Sequence, residues 1–219
     1  MTQSAQPPDS LSPSISKNKP EKAAAILTGA LEVFSEQGYA AASMERIAKA
    51  AKVSKPTLYK YFQDKEGLFS ALVQQLTERN RQRLPLLLAK SVDSLPPQEV
   101  LRQIATMVID DFPRDEAILK LMRLIIGESE RFPHIARTFV REIEKPMIEK
   151  FAAYFARQPQ LQLSDPMVTA RVFIGSVVHY LIIQQVLHGS EILPLERDRM
   201  VDGLISLITA QDSTKVGHT

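Results

Sequence analysis

The residues best suited to chemistry lie between Ser43 and Phe62, in the run SMERIAKAAKVSKPTLYKYF. Lys49, Lys52, Lys55, Lys60 and, just beyond, Lys65 crowd one short window, with the hydroxyls of Thr57 and Tyr59 among them. Long cationic side chains neutralise phosphates, and ammonium and hydroxyl donors reach base edges, so this is the chemistry of nucleic-acid contact. The other candidates are the acids and bases Glu128, Glu130, His134 and Glu142. These carboxylates alternate with Arg131, Arg137 and Arg141 as a solvated face does, and no GxSxG, HExxH, GxGxxG or P-loop pattern accompanies them. An enzyme is not expected. With no Cys there is no disulfide, no thiolate metal site and no cysteine nucleophile. His134, His179, His188 and His218 stand at no metal-ligand spacing, so neither a metal nor a cofactor is expected.

Positioning that window requires short helices. Ser43 can accept from the free N–H groups of a helix starting at Met44, and Ser54 can do the same before Lys55 and Pro56. Between the two lies a turn at Lys52, Val53 and Ser54. Ile47, Ala51, Val53, Leu58 and Tyr61 fall where the pair would face each other and a preceding helix, and Ala48 leaves room for a close crossing. Such a helix-turn-helix places its second helix in the major groove, with Lys55, Pro56, Thr57, Tyr59 and Lys60 outward. The preceding helix is marked by Ala24, Leu27, Leu31 and Phe34 and stops at Gly38; Asp64 caps a fourth from Lys65 onward.

The run from Ala24 to Leu76, with IAKAAKVSKPTLYKYFQDKEGLF at its centre, resembles the DNA-binding domain of the TetR family of transcriptional regulators. The resemblance implies an all-α protein: three N-terminal helices on DNA, a fourth linking them to a larger ligand-binding and dimerisation domain, and a homodimer on a pseudo-palindromic operator. It implies Lys55, Pro56, Thr57 and Lys60 at base edges and the adjoining backbone, Tyr59 and Lys65 on phosphates, and Ser43 as a cap that also touches phosphate. The family commonly has Gly where this chain has Lys52; a non-Gly residue held at positive φ there costs on the order of 1 kcal/mol.

Composition agrees with a helical globular chain: 219 residues, 44% hydrophobic, 24% charged, with 14 Pro. The net charge of +2 is unevenly divided, since Lys17 to Arg83 holds 12 Lys and Arg against 7 Asp and Glu. No basic leader precedes an apolar stretch, and no later run is read as reaching a membrane-spanning length, Val172 to Ile183 being interrupted by His179. A cytoplasmic protein without membrane contact is expected. Residues 1–18 and 212–219 are expected as flexible ends, 19–64 as the DNA-binding domain and 65–211 as the effector-binding and dimerisation domain.

In the larger domain Pro96, Pro97, Pro113, Pro133, Pro159, Pro166 and Pro194 divide helical segments, and Pro146 should kink one. GESERFPHIARTFVREIEKPMIEKFAAYF is similar to C-terminal regions of the AefR-like branch. A pocket for an apolar or aromatic effector would draw on Met107, Met122, Ile125, Phe139, Phe151, Phe155, Phe173 and His179, although most apolar residues of a helical domain serve as core. The segment Asp165–His188 is apolar on nearly all sides and, with Pro194–Ala210, which adds Met200, Leu204, Ile205 and Ile208, would pair with a second copy. A repressor released by its effector is the leading expectation; an activator, or a DNA-binding protein without effector, would share the same N-terminal residues.

Overall fold

A computed structural model describes residues 18–210 of the chain. Nearly all of them are helical, with no strand among the described residues, as the all-α expectation required. The helices are α1 (Asn18–Ala41), α2 (Met44–Ala50), α3 (Lys55–Tyr61), α4 (Lys65–Leu87), α5 (Pro97–Asp111), α6 (Glu116–Glu128), α7 (Pro133–Phe139), α8 (Lys145–Ala156), α9 (Pro166–Leu181) and α10 (Arg197–Thr209). Apart from Asn18, the expected flexible ends at 1–18 and 212–219 lie outside the described residues.

Local signals start these helices. The side chains of Ser43, Ser54, Asp115 and Asp165 each accept from backbone N–H groups in the first turn of the helix they precede. α1 breaks at Gly38, whose φ of 75° and ψ of 167° belong to no helix, and resumes for one turn to Ala41. The break turns Tyr39 inward.

Burial then assembles two hydrophobic cores. The first joins α1 to α4 with α6 and α7, through Ile26, Phe34, Tyr39, Ile47, Leu58, Leu68, Phe69 and Leu72 against Leu121, Leu124, Ile125 and Ile135. The second joins α5, α8, α9 and α10 through Leu101, Ile104, Phe151, Tyr154, Phe155, Phe173, Leu204 and Ile205. The packing therefore cuts across the domain division expected at Lys65, because α4, α6 and α7 complete the N-terminal core. Polar ties hold the second core at its edges: Arg157 donates to both carboxylate oxygens of Asp93 at 2.8 and 3.1 Å and to the Leu88 carbonyl at 2.9 Å. Arg197 Nη1 lies 2.8 Å from each oxygen of Asp110, fastening α10 to α5.

Pro146 does not break its helix. Instead α7 runs into α8 through a π-helical turn, Val140–Glu144, in which the Lys145 N–H reaches back to the Val140 carbonyl. A second π-turn, Ile182–Val186, extends α9. With that extension Pro166–Val186 forms one helix of 21 residues, long and apolar enough by length and composition to cross a membrane. This corrects the sequence reading: His179 does not interrupt the helix. Ala170, Phe173, Ile174, Val177 and Leu181 on one side of it are buried in the second core.

Glu144, in the first π-turn, is half-buried, and burial pushes its carboxyl above the ordinary carboxylate value. The folded chain thus holds this proton more tightly than the unfolded chain, and the contribution to stability falls as pH rises from the unfolded value through the raised one. Glu144→Gln is expected to be more stable than wild type at about pH 7, with the advantage shrinking towards about pH 5. Urea midpoints at the two pH values measure it, and a difference independent of pH would contradict it.

Candidate nucleic-acid interface

The turn between α2 and α3 is closed by three backbone hydrogen bonds: Ala51 N–H to Ile47 O at 2.9 Å, Lys52 N–H to Lys49 O at 3.1 Å and Val53 N–H to Ala48 O at 3.0 Å. This is a Schellman ending, which needs a left-handed residue just past the helix, and Lys52 fills that place at φ 55°. The position expected to tolerate strain is thus strained. α1 approaches this turn so closely that a Cβ at Gly29 would sit 2.8 Å from Ala51 N. Sequence reasoning missed Gly29; a glycine inside a well-patterned helix was the available signal.

Leu58 is fully buried beneath α3, which fixes the roll of this helix. Lys55, Pro56, Tyr59 and Lys60 are exposed on its other side, as the sequence placed them. Lys49, Lys52, Lys55 and Lys60 have no carboxylate within ion-pair distance among the described residues, so their charge is available to an anionic partner. Thr57 is half-buried, its Oγ1 2.7 Å from Ser54 Oγ, which also accepts the Thr57 N–H at 3.2 Å. Ser43 caps α2, accepting the Arg46 N–H at 3.3 Å, and stays exposed.

Lys65 is placed differently from expectation. Its Nζ donates to the carbonyls of Tyr39 at 2.8 Å and Ala42 at 3.1 Å and lies 4.5 Å from the centre of the Tyr39 ring. Burial holds its pKa below the ordinary lysine value, with Glu128 acting the other way. Its donors serve the end of α1. Tyr39 packs against Phe34, Phe69, Phe132 and His134 at ring separations of 5.1 to 5.7 Å, and its hydroxyl lies 3.1 Å from His134 Nε2. Burial, with Glu66 and Asp64 adding, pushes that hydroxyl up to about 12, so it stays protonated. Glu128 Oε1 accepts the Tyr39 N–H at 2.9 Å, and a Cβ at Gly38 would collide with the same oxygen. The α1–α3 unit is in this way keyed to α6.

The expected pocket residues do not converge. Ile125 belongs to the first core, and Phe151, Phe155 and Phe173 to the second, all buried in packing rather than lining a cavity. Phe139 packs partly against the first core, and Met122 is half-buried. Met107 does border a cavity of about 480 Å³, together with Leu76, Val108, Phe112, Ile118 and the charged Asp111, Arg114, Asp115 and Glu116. His179 is exposed in a separate groove on α9, beside Arg171, Val172, Tyr180, Leu193 and Leu195. Among the described residues no group of three His, Asp or Glu is arranged to hold a metal ion.

A helix-turn-helix with an exposed basic second helix, set on a larger helical domain, defines the class of DNA-binding regulators. Residues 26–72 match the profile of bacterial regulatory proteins of the tetR family, and residues 99–211 that of the AefR-like transcriptional repressor C-terminal domain. The chain belongs to the TetR family, in its AefR-like branch by the C-terminal match. It is 36% identical over 105 residues to the regulator AcrR of Shigella flexneri, covering 48% of each chain. Over 122 residues it is 33% identical to RutR of Escherichia coli K12, covering 56% of this chain and 48% of that one. The chain thus spans about half the length of the curated relatives it matches. A solved regulator of Mesorhizobium loti has a TM-score of 0.70 at 26% identity, with coverage of 88% and 96%. The flavonoid-responsive regulator FrrA has a TM-score of 0.65 at 30% identity, with coverage of 84% and 92%.

Three substitutions test the local geometry. Lys52→Gly is expected to raise stability by up to about 1 kcal/mol, since Gly enters the left-handed region without a Cβ clash. Lys65→Ala is expected to lose about 1–2 kcal/mol by leaving the Tyr39 and Ala42 carbonyls without their donor, while Lys60→Ala changes stability by less than about 0.5 kcal/mol. Urea denaturation of the three variants measures both, and equal effects of Lys65→Ala and Lys60→Ala would contradict the assignment.

Proposed function

We propose that the chain is a homodimeric, sequence-specific DNA-binding repressor that an apolar or aromatic small molecule releases from its operator. The observation that carries the DNA reading is the outward face of α3: Lys55, Pro56, Tyr59 and Lys60 exposed above a fully buried Leu58. Lys55, Pro56, Thr57 and Lys60 would meet base edges and adjoining backbone, and Tyr59 phosphate. Ser43, exposed at the start of α2, would reach a neighbouring phosphate. Lys65 acts one step back, holding α1 in place.

Support for the dimer comes from the outer face of α9 and α10. Val168 and Val172 are about half exposed, Leu207 is 81% exposed, and Leu193 and Leu195 line a groove together with Val172 and Met200. Apolar surface of this extent on two adjacent helices favours burial against the same surface of a second copy, related by a two-fold axis. That arrangement would also cover the membrane-length helix, in keeping with a cytoplasmic protein. Support for the effector comes from the cavity beside Met107, whose walls combine apolar Leu76, Val108, Phe112 and Ile118 with charged Asp111, Arg114, Asp115 and Glu116 and so suit an aromatic molecule that also carries polar groups. FrrA, one of the similar structures, is described as flavonoid-responsive, and an effector of that aromatic kind suits such walls.

The measurement is the salt dependence of binding to a selected operator. Removing one lysine–phosphate ion pair lowers the slope of log affinity against log salt by about 1, and a dimer is deprived of two such pairs by each substitution. Lys55→Ala and Lys60→Ala are therefore each expected to reduce the slope by about 2. Unchanged slope and affinity in both variants would show that α3 does not face the DNA.

A further inference from the structure

Glu144 is a charge that the fold does not use. It stands in the π-turn Val140–Glu144, half-buried, and no hydrogen bond or ion pair reaches it among the described residues. Desolvation is what pushes its carboxyl up, with no cation acting the other way. Other carboxylates of the second core are employed: Asp93 takes Arg157, Asp110 takes Arg197, and Asp165 caps α9. A half-buried carboxyl without a partner destabilises the fold that carries it, so packing does not account for Glu144. A π-turn likewise gives up regular hydrogen bonding, and such turns recur at functional sites.

The same residue lines a groove of about 440 Å³ formed by the π-turn, α8 and the start of α9. The walls are apolar: Val140 and Met167 are well exposed, and Ile148 is half-buried. Three further charged residues border it. Lys145 and Glu149 lie 3.9 Å apart on successive turns of α8 and answer each other. Arg171 is exposed on α9, where its long side chain carries the guanidinium to water. Glu144 is thus the carboxylate of this groove left unanswered. Apolar walls with a polar group set among them are the form of a small-molecule site, and a desolvated carboxyl in such a cleft is suited to meet a ligand.

We infer that this groove binds an organic amine with an apolar body, its ammonium on Glu144 and its body against Val140, Ile148 and Met167. An ammonium favours the ionised carboxyl, so binding offsets the desolvation, and its N–H groups supply donors that the fold does not. The apolar body covers side chains that water touches in the free chain. An anion would find only the solvated Arg171 and Lys145, and would face Glu144. The groove shares no lining residue with the cavity beside Met107. The inference needs neither the DNA reading nor the dimer.

The chain has no Trp, so the fluorescence anisotropy of a naphthyl group follows binding to the full chain without interference from indole. Naphthylmethylamine is the probe. Naphthylmethanol, of similar shape without the charge, and naphthylacetate, of opposite charge, are the controls. At neutral pH the amine is expected to bind about tenfold more tightly than either control, the ratio that a charge-assisted hydrogen bond supplies. Glu144→Gln, a variant expected to be more stable than wild type, brings the amine down to the affinity of the alcohol and leaves the alcohol unchanged. Val140→Lys sets a cation on the exposed wall and lowers amine affinity by a similar factor. Amine affinity unchanged in either variant would place the probe elsewhere, and acetate binding as tight as amine binding would assign the groove to anions; both results overturn the inference. So would an amine affinity that falls as protein concentration rises, since a second copy would then fill the groove.

Discussion

The break of α1 at Gly38 is the constraint on which the rest of the structure depends. A residue with φ of 75° cannot continue a helix, and the backbone there passes so close to Glu128 that a side chain would collide with it. The backbone groups released by the break are each satisfied by a side chain from another helix: the Tyr39 N–H goes to Glu128, and the Tyr39 and Ala42 carbonyls go to Lys65. The Tyr39 ring then joins Phe34, Phe69, Phe132 and His134, tying α1, α4 and the start of α7 together. This junction adds directional polar contacts to the apolar packing of α1 and α4 on Leu121, Leu124 and Ile125 of α6, and so fixes how the helix-turn-helix sits on that helix.

A DNA-reading helix needs a rigid seat and a free face, and the two demands compete in so short a helix. α3 has seven residues, too few to be stable alone. Its seat comes from Leu58, from the Ser54 cap and from the Schellman turn at Lys52, which holds the angle to α2 despite the strain of a left-handed lysine. Because burial uses one residue so fully, the exposed positions are free of packing duty and can carry charge and hydroxyls.

The helix-turn-helix was legible because its determinants are local: caps at Ser43 and Ser54, an early Pro, alternate apolar positions and a cluster of lysines. The role of Lys65 was not, since a lysine at a helix start looks the same whether it faces phosphate or the carbonyls of a segment 23 residues away. Likewise Phe151, Phe155 and Phe173 have the character of pocket aromatics, yet they fill one another's space in the core. Only long-range packing separates a lining residue from a filling one. The same holds for the seam between cores, because Ile135 and Phe151 lie on one unbroken helical pattern but are buried in different places. Pro146 did mark a disturbance in that helix, which takes the form of a π-turn rather than a break.

Selection of random duplex DNA on the purified protein, with titration of the enriched site at several salt concentrations, tests the central claim most directly. A two-fold-symmetric site whose affinity falls steeply with salt is the predicted result, since two basic recognition helices on a symmetric dimer would impose both properties. Enrichment of no sequence, with only weak and unselective binding, would contradict it.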